Sequence, residues 1–209
     1  MAKQGRAGFT LLELLAVIVI VGILAAVLVS QLGGGLTVSK TQVEKQFLQK
    51  LDVVLGQYNQ QFGRYPPSSF TPEQGVPNDG ENVGIEALVV ALYSNKYDAG
   101  GFDLEDKYFG NTDNDQSARS LTDFGNRNLL ELVDEWQNPI AYVYRTDYGL
   151  ENRVYVTIGE EGQEVRGTPA AQKDPLKGQY YKHDSFQLIS AGPDCVFNSD
   201  DDIFNFQRE

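Results

Sequence analysis

The 209-residue sequence has very few of the residues from which catalytic and metal sites are most often built. It contains one cysteine, Cys195, and one histidine, His183. A single cysteine excludes an internal disulfide framework and a zinc site made only of cysteines. A single histidine excludes a two-histidine metal motif. A hydrolase using Cys195 as nucleophile and His183 as base is disfavoured, because no orienting residue pattern surrounds them.

Basic residues are also few. The chain has 17 Lys and Arg against 29 Asp and Glu, which gives a net charge of −12. This balance argues against a nucleic-acid partner, because affinity for phosphates depends on clustered basic side chains. The apolar content of 41% is enough for a hydrophobic core. Length and composition therefore predict one folded domain, or one domain plus an appendage.

Charge is absent from Leu14 to Val29, and the surrounding apolar run extends from Phe9 to Leu32. A helix of this length measures about 36 Å, enough to cross a hydrocarbon layer of about 30 Å. Lys3 and Arg6 precede the run, which predicts a cytoplasmic amino terminus. A cleaved secretory signal is the alternative, but the run is longer than the usual signal core.

Glu13 is the one carboxylate at the head of this run. A carboxylate inside an apolar helix costs a few kcal/mol unless it is paired or reaches the interface. One interpretation is a glutamate at the bilayer edge. The other requires a cation. Cleavage after Gly8 would give Phe9 a free α-amine, which could neutralise Glu13 of the same chain or of a neighbour.

The residues Gly8-Phe9-Thr10-Leu11-Leu12-Glu13 resemble the class III leader of type IV pilins and type II secretion pseudopilins. The resemblance implies that a prepilin peptidase cuts after Gly8, that Phe9 is N-methylated and that Glu13 acts in assembly. Residues 1–8 are then a leader peptide, and residues 9–32 form a helix that spans the membrane and later lies in a filament core.

Residues 33–62 are predicted to form a hinge and an amphipathic helix. Gly33-Gly34-Gly35 interrupts the apolar run, and three glycines cost about 1 kcal/mol each in a helix. From about Val38 to Gln61, apolar residues recur at intervals of three or four: Val43, Phe47, Leu51, Val54 or Leu55, Tyr58 and Phe62. Gly63 and Pro66-Pro67 predict the end of the helix. The combination is typical of the pilin lollipop shape.

Residues 63–209 are predicted to form an exported α+β domain with a small antiparallel sheet against the helix. The predicted strands are 140–146, 153–158 and 185–190, with a short helix from Ile85 to Tyr93. Insertions lie near 94–130 and 147–183. In the first, residues 111–115 have the composition of a calcium loop but lack the glycine and glutamate of an EF-hand, so a solvated loop is favoured. In the second, 159–178 is predicted to be a surface loop.

Three motifs extend the resemblance to the major pseudopilin of type II secretion: Gly63-Arg64-Tyr65-Pro66, Gly84-Ile85-Glu86-Ala87-Leu88-Val89 and Trp136-Gln137-Asn138-Pro139. The resemblance implies a non-enzymatic filament subunit of an inner-membrane secretion system, with a single membrane pass and a periplasmic carboxy-terminal domain. Its implied partners are further copies of the chain, prepilin peptidase, minor pseudopilins, the assembly platform with its ATPase, and membrane lipid.

Residues 190–203 contain four aspartates within nine positions. From composition alone, a calcium site and a solvated acidic turn are both open, since calcium takes six to eight oxygen ligands. The resemblance implies one structural calcium ion. Its ligands would be Asp194, Asp200, Asp202 and the backbone carbonyl of Ala191, with Asp201 in a variable position. Cys195 stands where the family usually has glycine, which predicts a steric cost if φ is positive there.

Two other functions remain open at this stage. A surface type IV pilin often has a disulfide-bounded carboxy-terminal loop, which a single cysteine excludes. A membrane-anchored binding module would require an exposed aromatic platform, and the chain has 11 tyrosines. The insertions leave room for a specialised pseudopilin.

Overall fold

The computed structural model describes residues 11–76, 80–94, 104–150, 153–159 and 161–208. The chain divides into two units, Met1–Lys40 and Thr41–Glu209.

Helix α1 extends from Leu11 to Phe62 as one α-helix. The helical backbone continues through Gly33-Gly34-Gly35, and the hinge predicted there stays a prediction. Glycine costs of about 1 kcal/mol per residue weaken a helix without necessarily ending it when strong helix formers flank them. Within the described residues, no helical segment combines the length and apolarity that a bilayer span requires. The assignment of residues 9–32 as a membrane anchor stays a prediction.

In the second unit, α1 contributes the predicted apolar stripe to the core. Phe47, Leu51, Val54, Leu55 and Tyr58 are buried. The stripe is offset at its ends, because Val43 and Phe62 are more than one-third exposed while Glu44 and Leu48 are fully buried. Gly63 ends the helix as predicted. It adopts a left-handed conformation with φ 67°, and its N–H donates to the carbonyl of Asn59 at 2.8 Å.

Helix α2 extends from Val83 to Leu92, two residues earlier than predicted at its start and one at its end. Its sequence VGIEALVVAL is apolar on nearly all faces, and eight of its ten residues are buried. Such a helix must lie in the interior of a fold. It packs on strands β2 (Glu131–Leu132) and β3 (Ala141–Tyr144).

The described residues form seven strands, which pair antiparallel in three small sheets. Strand β1 (Phe109–Gly110) pairs with β2. Strand β3 pairs with β6 (Phe186–Ser190), and β6 also pairs with β7 (Ile203–Phe204). Strand β4 (Tyr155–Ile158) pairs with β5 (Glu164–Gly167). The α+β class and the three predicted strands are therefore confirmed.

The arrangement differs from the prediction in two places. Strand β4 does not join the sheet of β3 and β6, because its partner is β5. The segment 159–178 is consequently not only a surface loop, since β5 lies within it. The burial of strand β5 alternates between exposed and half-buried residues, but Val165 is its one apolar residue apart from glycine, which is too little to recognise a strand in sequence.

One hydrophobic core unites these elements. It is formed by the second half of α1, by α2, and by β3, β4 and β6, with Tyr142, Tyr155 and Phe186 as its largest fully buried side chains. The hydroxyl of Tyr142 donates to the carbonyl of Pro66 at 2.8 Å. The residues that follow α1 are thereby joined to the central sheet.

Candidate functional site

The predicted amino-terminal site is only partly described. Gly8 and Phe9 lie outside the described residues. Glu13 lies within α1, whose backbone is helical at that position. Around it, the described side chains between Leu11 and Ala25 are exposed and apolar, with Leu11 at 83% and Ile18 at 60%. A continuous apolar surface of this kind marks a contact with a partner or a membrane.

The motif Trp136-Gln137-Asn138-Pro139 forms a tight turn organised by Asp134. The Oδ1 atom of Asp134 accepts hydrogen bonds from the N–H groups of Trp136 at 2.9 Å and Asn138 at 3.0 Å. Its Oδ2 atom accepts from the hydroxyl of Ser190 at 2.7 Å. Ser190 is the last residue of β6. The turn therefore fixes the start of the loop in which the calcium site was predicted.

The connection between β6 and β7 contains all of the predicted calcium ligands. We call residues 191–202 the aspartate loop. Its backbone reverses direction at three residues with positive φ: Gly192 at 69°, Cys195 at 60° and Asn198 at 66°. Cys195 therefore meets the condition stated for a steric cost, because its φ is positive and this conformation disfavours a side chain. Its carbonyl accepts from the Thr157 hydroxyl at 2.6 Å, which ties the loop to β4.

Asn198 ties the loop to the second insertion. Its Oδ1 atom accepts from the N–H of Ala170 at 2.9 Å, and its Nδ2 group donates to the carbonyl of Thr168 at 3.0 Å. Asparagine tolerates positive φ better than most residues. The hydrogen bonds of Asn198 and Thr157 show that the aspartate loop is supported by the strand pair β4–β5 and by the segment that follows β5.

Gly192 has a second constraint besides its φ. An added Cβ would lie 2.4 Å from the carbonyl oxygen of Asp201. We expect Gly192→Ala to lower the free energy of unfolding by about 3 kcal/mol, from left-handed strain of about 1–2 kcal/mol plus the clash. Urea unfolding measures the change. Gly178→Ala is the matched control, since Gly178 has φ 68° and an added Cβ would meet nothing within 4 Å. If both variants lose the same free energy of unfolding, the close approach of Gly192 to Asp201 does not contribute to the loss.

The aspartates of the loop are held mainly by its own backbone. Asp194 Oδ1 accepts from the N–H of Val196 at 2.8 Å. Asp201 Oδ2 accepts from the N–H of Asp194 at 3.1 Å, and its Oδ1 accepts from the Ser199 hydroxyl. Asp202 Oδ2 accepts from the N–H of Asn198 at 2.9 Å. Asp200 is exposed, while Ala191 is fully buried.

Asp202 is the loop carboxylate whose environment best fits a cation ligand. It is 7% exposed, and its buried Oδ1 atom has no hydrogen-bond partner among the described residues. Burial raises the pKa of Asp202 to about 6. Burial, with a further contribution from the charge of Asp201, also raises the pKa of Asp194. Both raised pKa values show that hydrogen bonds and nearby positive charges do not fully offset the cost of burying these ionised carboxylates.

The other predicted ligands are less well assembled. In the described part of the chain, no Lys or Arg forms a salt bridge with Asp194, Asp200, Asp201 or Asp202. The described residues also include no group of three loop carboxylates whose oxygens all lie within 4.8 Å of one another. Backbone carbonyls would have to supply part of a calcium shell, as the prediction of a carbonyl ligand at Ala191 requires.

A group of three carboxylates does meet this distance at another position. Oxygens of Glu86, Asp113 and Glu131 all lie within 4.8 Å of one another. The amide of Asn82 donates to Asp113 at 3.1 Å and to Glu131 at 2.9 Å. Burial, followed by the charge of Asp113, raises the pKa of Glu131 to about 7. Oxygen groups of this type suit hard divalent cations.

Sequence reasoning identified one member of this group, since Asp113 belongs to the acidic stretch 111–115. It missed Glu86 and Glu131. Glu86 lies in an otherwise apolar helix and Glu131 in a two-residue strand, and both are essentially fully buried. An isolated acid inside an apolar segment was the available signal, as it was at Glu13. Their meeting depends on the fold, because 45 residues separate them in the chain.

The cysteine and histidine have environments that differ from those of a catalytic pair. Cys195 is 4% exposed, and its Sγ donates to the carbonyl of Pro193 at 3.7 Å. His183 is exposed. A buried thiol that faces a backbone carbonyl lacks the electropositive, accessible surroundings of a reactive cysteine.

Comparisons with known proteins address the amino-terminal motif directly. A family model described as the prokaryotic N-terminal methylation motif matches residues 3–29. The chain is 40% identical over 76 residues to the type II secretion system core protein G of Klebsiella michiganensis; the match covers 36% of this chain and 51% of that protein. The predicted resemblance to the major pseudopilin is confirmed.

A second relative gives the same result. The type II secretion system core protein G of Aeromonas hydrophila is 40% identical over 76 residues, which cover 36% of this chain and 50% of that protein. The chain thus spans about half the length of the curated relatives it matches. No solved structure gives a significant match. The matched range 3–29 includes Gly8, Phe9 and Glu13, whose individual roles stay predictions.

Proposed function

We propose that this protein is a structural subunit of a type II secretion pseudopilus. The observation that carries the proposal is the methylation motif at residues 3–29, which contains Gly8, Phe9 and Glu13 in the predicted order. The similarity to two core G proteins of type II secretion supports it. The protein has no catalytic role in this proposal, and energy for assembly comes from a partner ATPase.

The proposed route begins in the inner membrane. Lys3 and Arg6 keep the leader on the cytoplasmic side, and the acidic domain lies in the periplasm. Prepilin peptidase cleaves after Gly8 and Phe9 is methylated. The apolar side chains exposed between Leu11 and Ala25 support this route, since they require a lipid or protein environment.

Assembly then exchanges lipid contacts for contacts between subunits. The apolar helices form the centre of a homo-oligomeric filament, which includes minor pseudopilins and grows from an inner-membrane platform. Glu13 of one subunit neutralises the Phe9 amine of its neighbour and sets the axial register. Addition of subunits at the base moves exported proteins outward.

We further propose one structural calcium ion in the aspartate loop. The residues fit it in donor chemistry: Asp194, Asp200, Asp202 and the carbonyl of Ala191 are hard oxygen ligands, with Asp201 as a further candidate. The buried Oδ1 atom of Asp202 supports the proposal, because a cation would satisfy it. The ion would neutralise charge and fix the loop between β6 and β7.

Leader processing provides the direct test. We expect Gly8→Ala to block cleavage, because the peptidase must bring the scissile bond close to its active site and the added methyl group obstructs this approach. Immunoblots of membranes from cells that express prepilin peptidase would show the precursor instead of the shorter mature chain. Ala7→Gly is the control and should be processed normally. Normal cleavage of the Gly8 variant would contradict the proposed class of protein.

A further inference from the structure

A buried glutamate of α1 faces the turn organised by Asp134. Glu44 is 0% exposed. The N–H of Glu135 donates to its Oε2 atom at 3.1 Å. Its Oε1 atom is buried and has no hydrogen-bond partner in the part of the chain that the structure describes. The apolar period of α1 predicts a hydrophobic residue at such a buried position, so the carboxyl group requires a separate explanation.

The charges that face Glu44 from the turn are negative. Asp134 is 1% exposed. Besides burial, its charge and that of the next residue, Glu135, both raise the pKa of Glu44. Glu135 interacts with Lys107, whose Nζ lies 3.8 Å from Glu135 Oε1, and with the Tyr108 hydroxyl, which donates to the same oxygen at 3.5 Å.

Hydrogen bonds decide which buried acid carries a proton. Three donors favour the ionised form of Asp134: the N–H groups of Trp136 and Asn138 and the hydroxyl of Ser190. They offset burial only in part, and burial raises the pKa of Asp134 to about 6. Glu44 receives one donor. With fewer donors, Glu44 therefore binds its proton more tightly than Asp134 does. In agreement with this assignment, burial and then the charge of Asp134 raise the pKa of Glu44 well above its usual range.

We propose that Glu44 is a proton-dependent latch that holds the second half of α1 on the turn formed by residues 134–138. When Glu44 is neutral, α1 packs without a buried charge at this contact. When Glu44 ionises, two negative groups lie in one desolvated region, and opening of the contact relieves both desolvation and repulsion. The same turn holds Ser190, so the latch also affects the start of the aspartate loop.

The direction of the pH dependence follows from the raised pKa. The folded chain binds the Glu44 proton more tightly than the unfolded chain does. Its contribution to stability is complete below about pH 4.3, the usual glutamate value, and is lost as pH rises through the folded-state pKa. Because Glu44 lies at the contact between α1 and the turn formed by residues 134–138, the loss of stability should be largest in α1.

Hydrogen exchange of the full chain in detergent micelles tests the latch at pH 5.0 and 7.5. We expect protection factors, corrected for intrinsic exchange, to fall about tenfold for residues 41–62 between these pH values, with a smaller fall in β3. Glu44→Gln, which cannot ionise, should remove most of the difference and leave the part that comes from Asp134, whose pKa burial raises to about 6. Asp52→Asn is the control on the same helix and should retain the full difference, although it loses the contact of Asp52 with Lys182 at 2.6 Å.

Several results would overturn the latch. These are a wild-type protein whose α1 protection does not change with pH, and a folded Glu44→Gln variant that keeps the wild-type dependence. If Glu44→Gln does not fold, Glu44→Leu replaces it. If neither variant folds, the wild type and Asp52→Asn decide: a fall larger in α1 than in β3 supports the latch, and an equal fall in β3 refutes it. Strand β3 is the reference because α2 carries Glu86, which meets Glu131 with its pKa of about 7.

Discussion

Glu13→Ala is expected to abolish filament assembly and to leave a cleaved, methylated monomer in the membrane. The cleavage site precedes Phe9, so the peptidase still has its substrate. The variant removes the carboxylate that would neutralise the Phe9 amine of the neighbouring subunit. Removal of one partner from a buried ion pair costs about 3–5 kcal/mol, a penalty that every added subunit would incur. Electron microscopy of overproduced filaments, together with immunoblots for the mature chain, measures both parts of this result.

Two further variants separate charge from shape at this position. Glu13→Gln keeps the size of the side chain and removes the charge, so it should also fail to assemble. Leu12→Ala is the neighbouring control, because Leu12 is 78% exposed and apolar, and its truncation leaves the pair intact. Normal filaments from Glu13→Gln would assign the residue a packing role. Filaments from Glu13→Ala at the wild-type level would refute the pairing altogether.

The local elements could be predicted because local sequence determines them. The end of α1 at Gly63 follows from a residue that accepts positive φ, and β3, β4 and β6 follow from dense β-branched and aromatic residues. The sheet pairing could not be predicted. Strand β4 pairs with β5, whose sequence EVRG contains one large apolar residue, and β6 pairs with a β7 of two residues. Such pairings depend on contacts between distant segments.

The same distinction applies to the candidate sites. The aspartate loop is visible in sequence because its carboxylates lie close together along the chain. The carboxylates of Glu86, Asp113 and Glu131 meet only through the fold, as do Glu44 and Asp134. Buried acids are the weakest signal in a sequence pattern, because a single acid within an apolar segment changes its periodicity very little.

Calcium is expected to stabilise the full chain in detergent by about 2.7 kcal/mol when its concentration is one hundred times the Kd. For a domain of this size, that corresponds to a rise in Tm of about 5–10 °C. The measurement belongs at pH 7.5, above the value of about 6 to which burial raises the pKa of Asp202. Magnesium should have a smaller effect, since it needs a tight octahedral shell and dehydrates reluctantly.

Two isosteric variants locate the ion, because the fold offers two groups of carboxylates. Asp202→Asn removes the charge of the loop residue whose Oδ1 lacks a partner, and it should remove most of the calcium-dependent shift. Glu131→Gln changes the group around Asn82 and should leave the shift intact. The reverse pattern would place calcium at Glu86, Asp113 and Glu131 and contradict the loop assignment. An unchanged Tm in the wild-type protein would identify the aspartate loop as a turn that is stable without calcium, held by the N–H groups of Asp194, Val196 and Asn198.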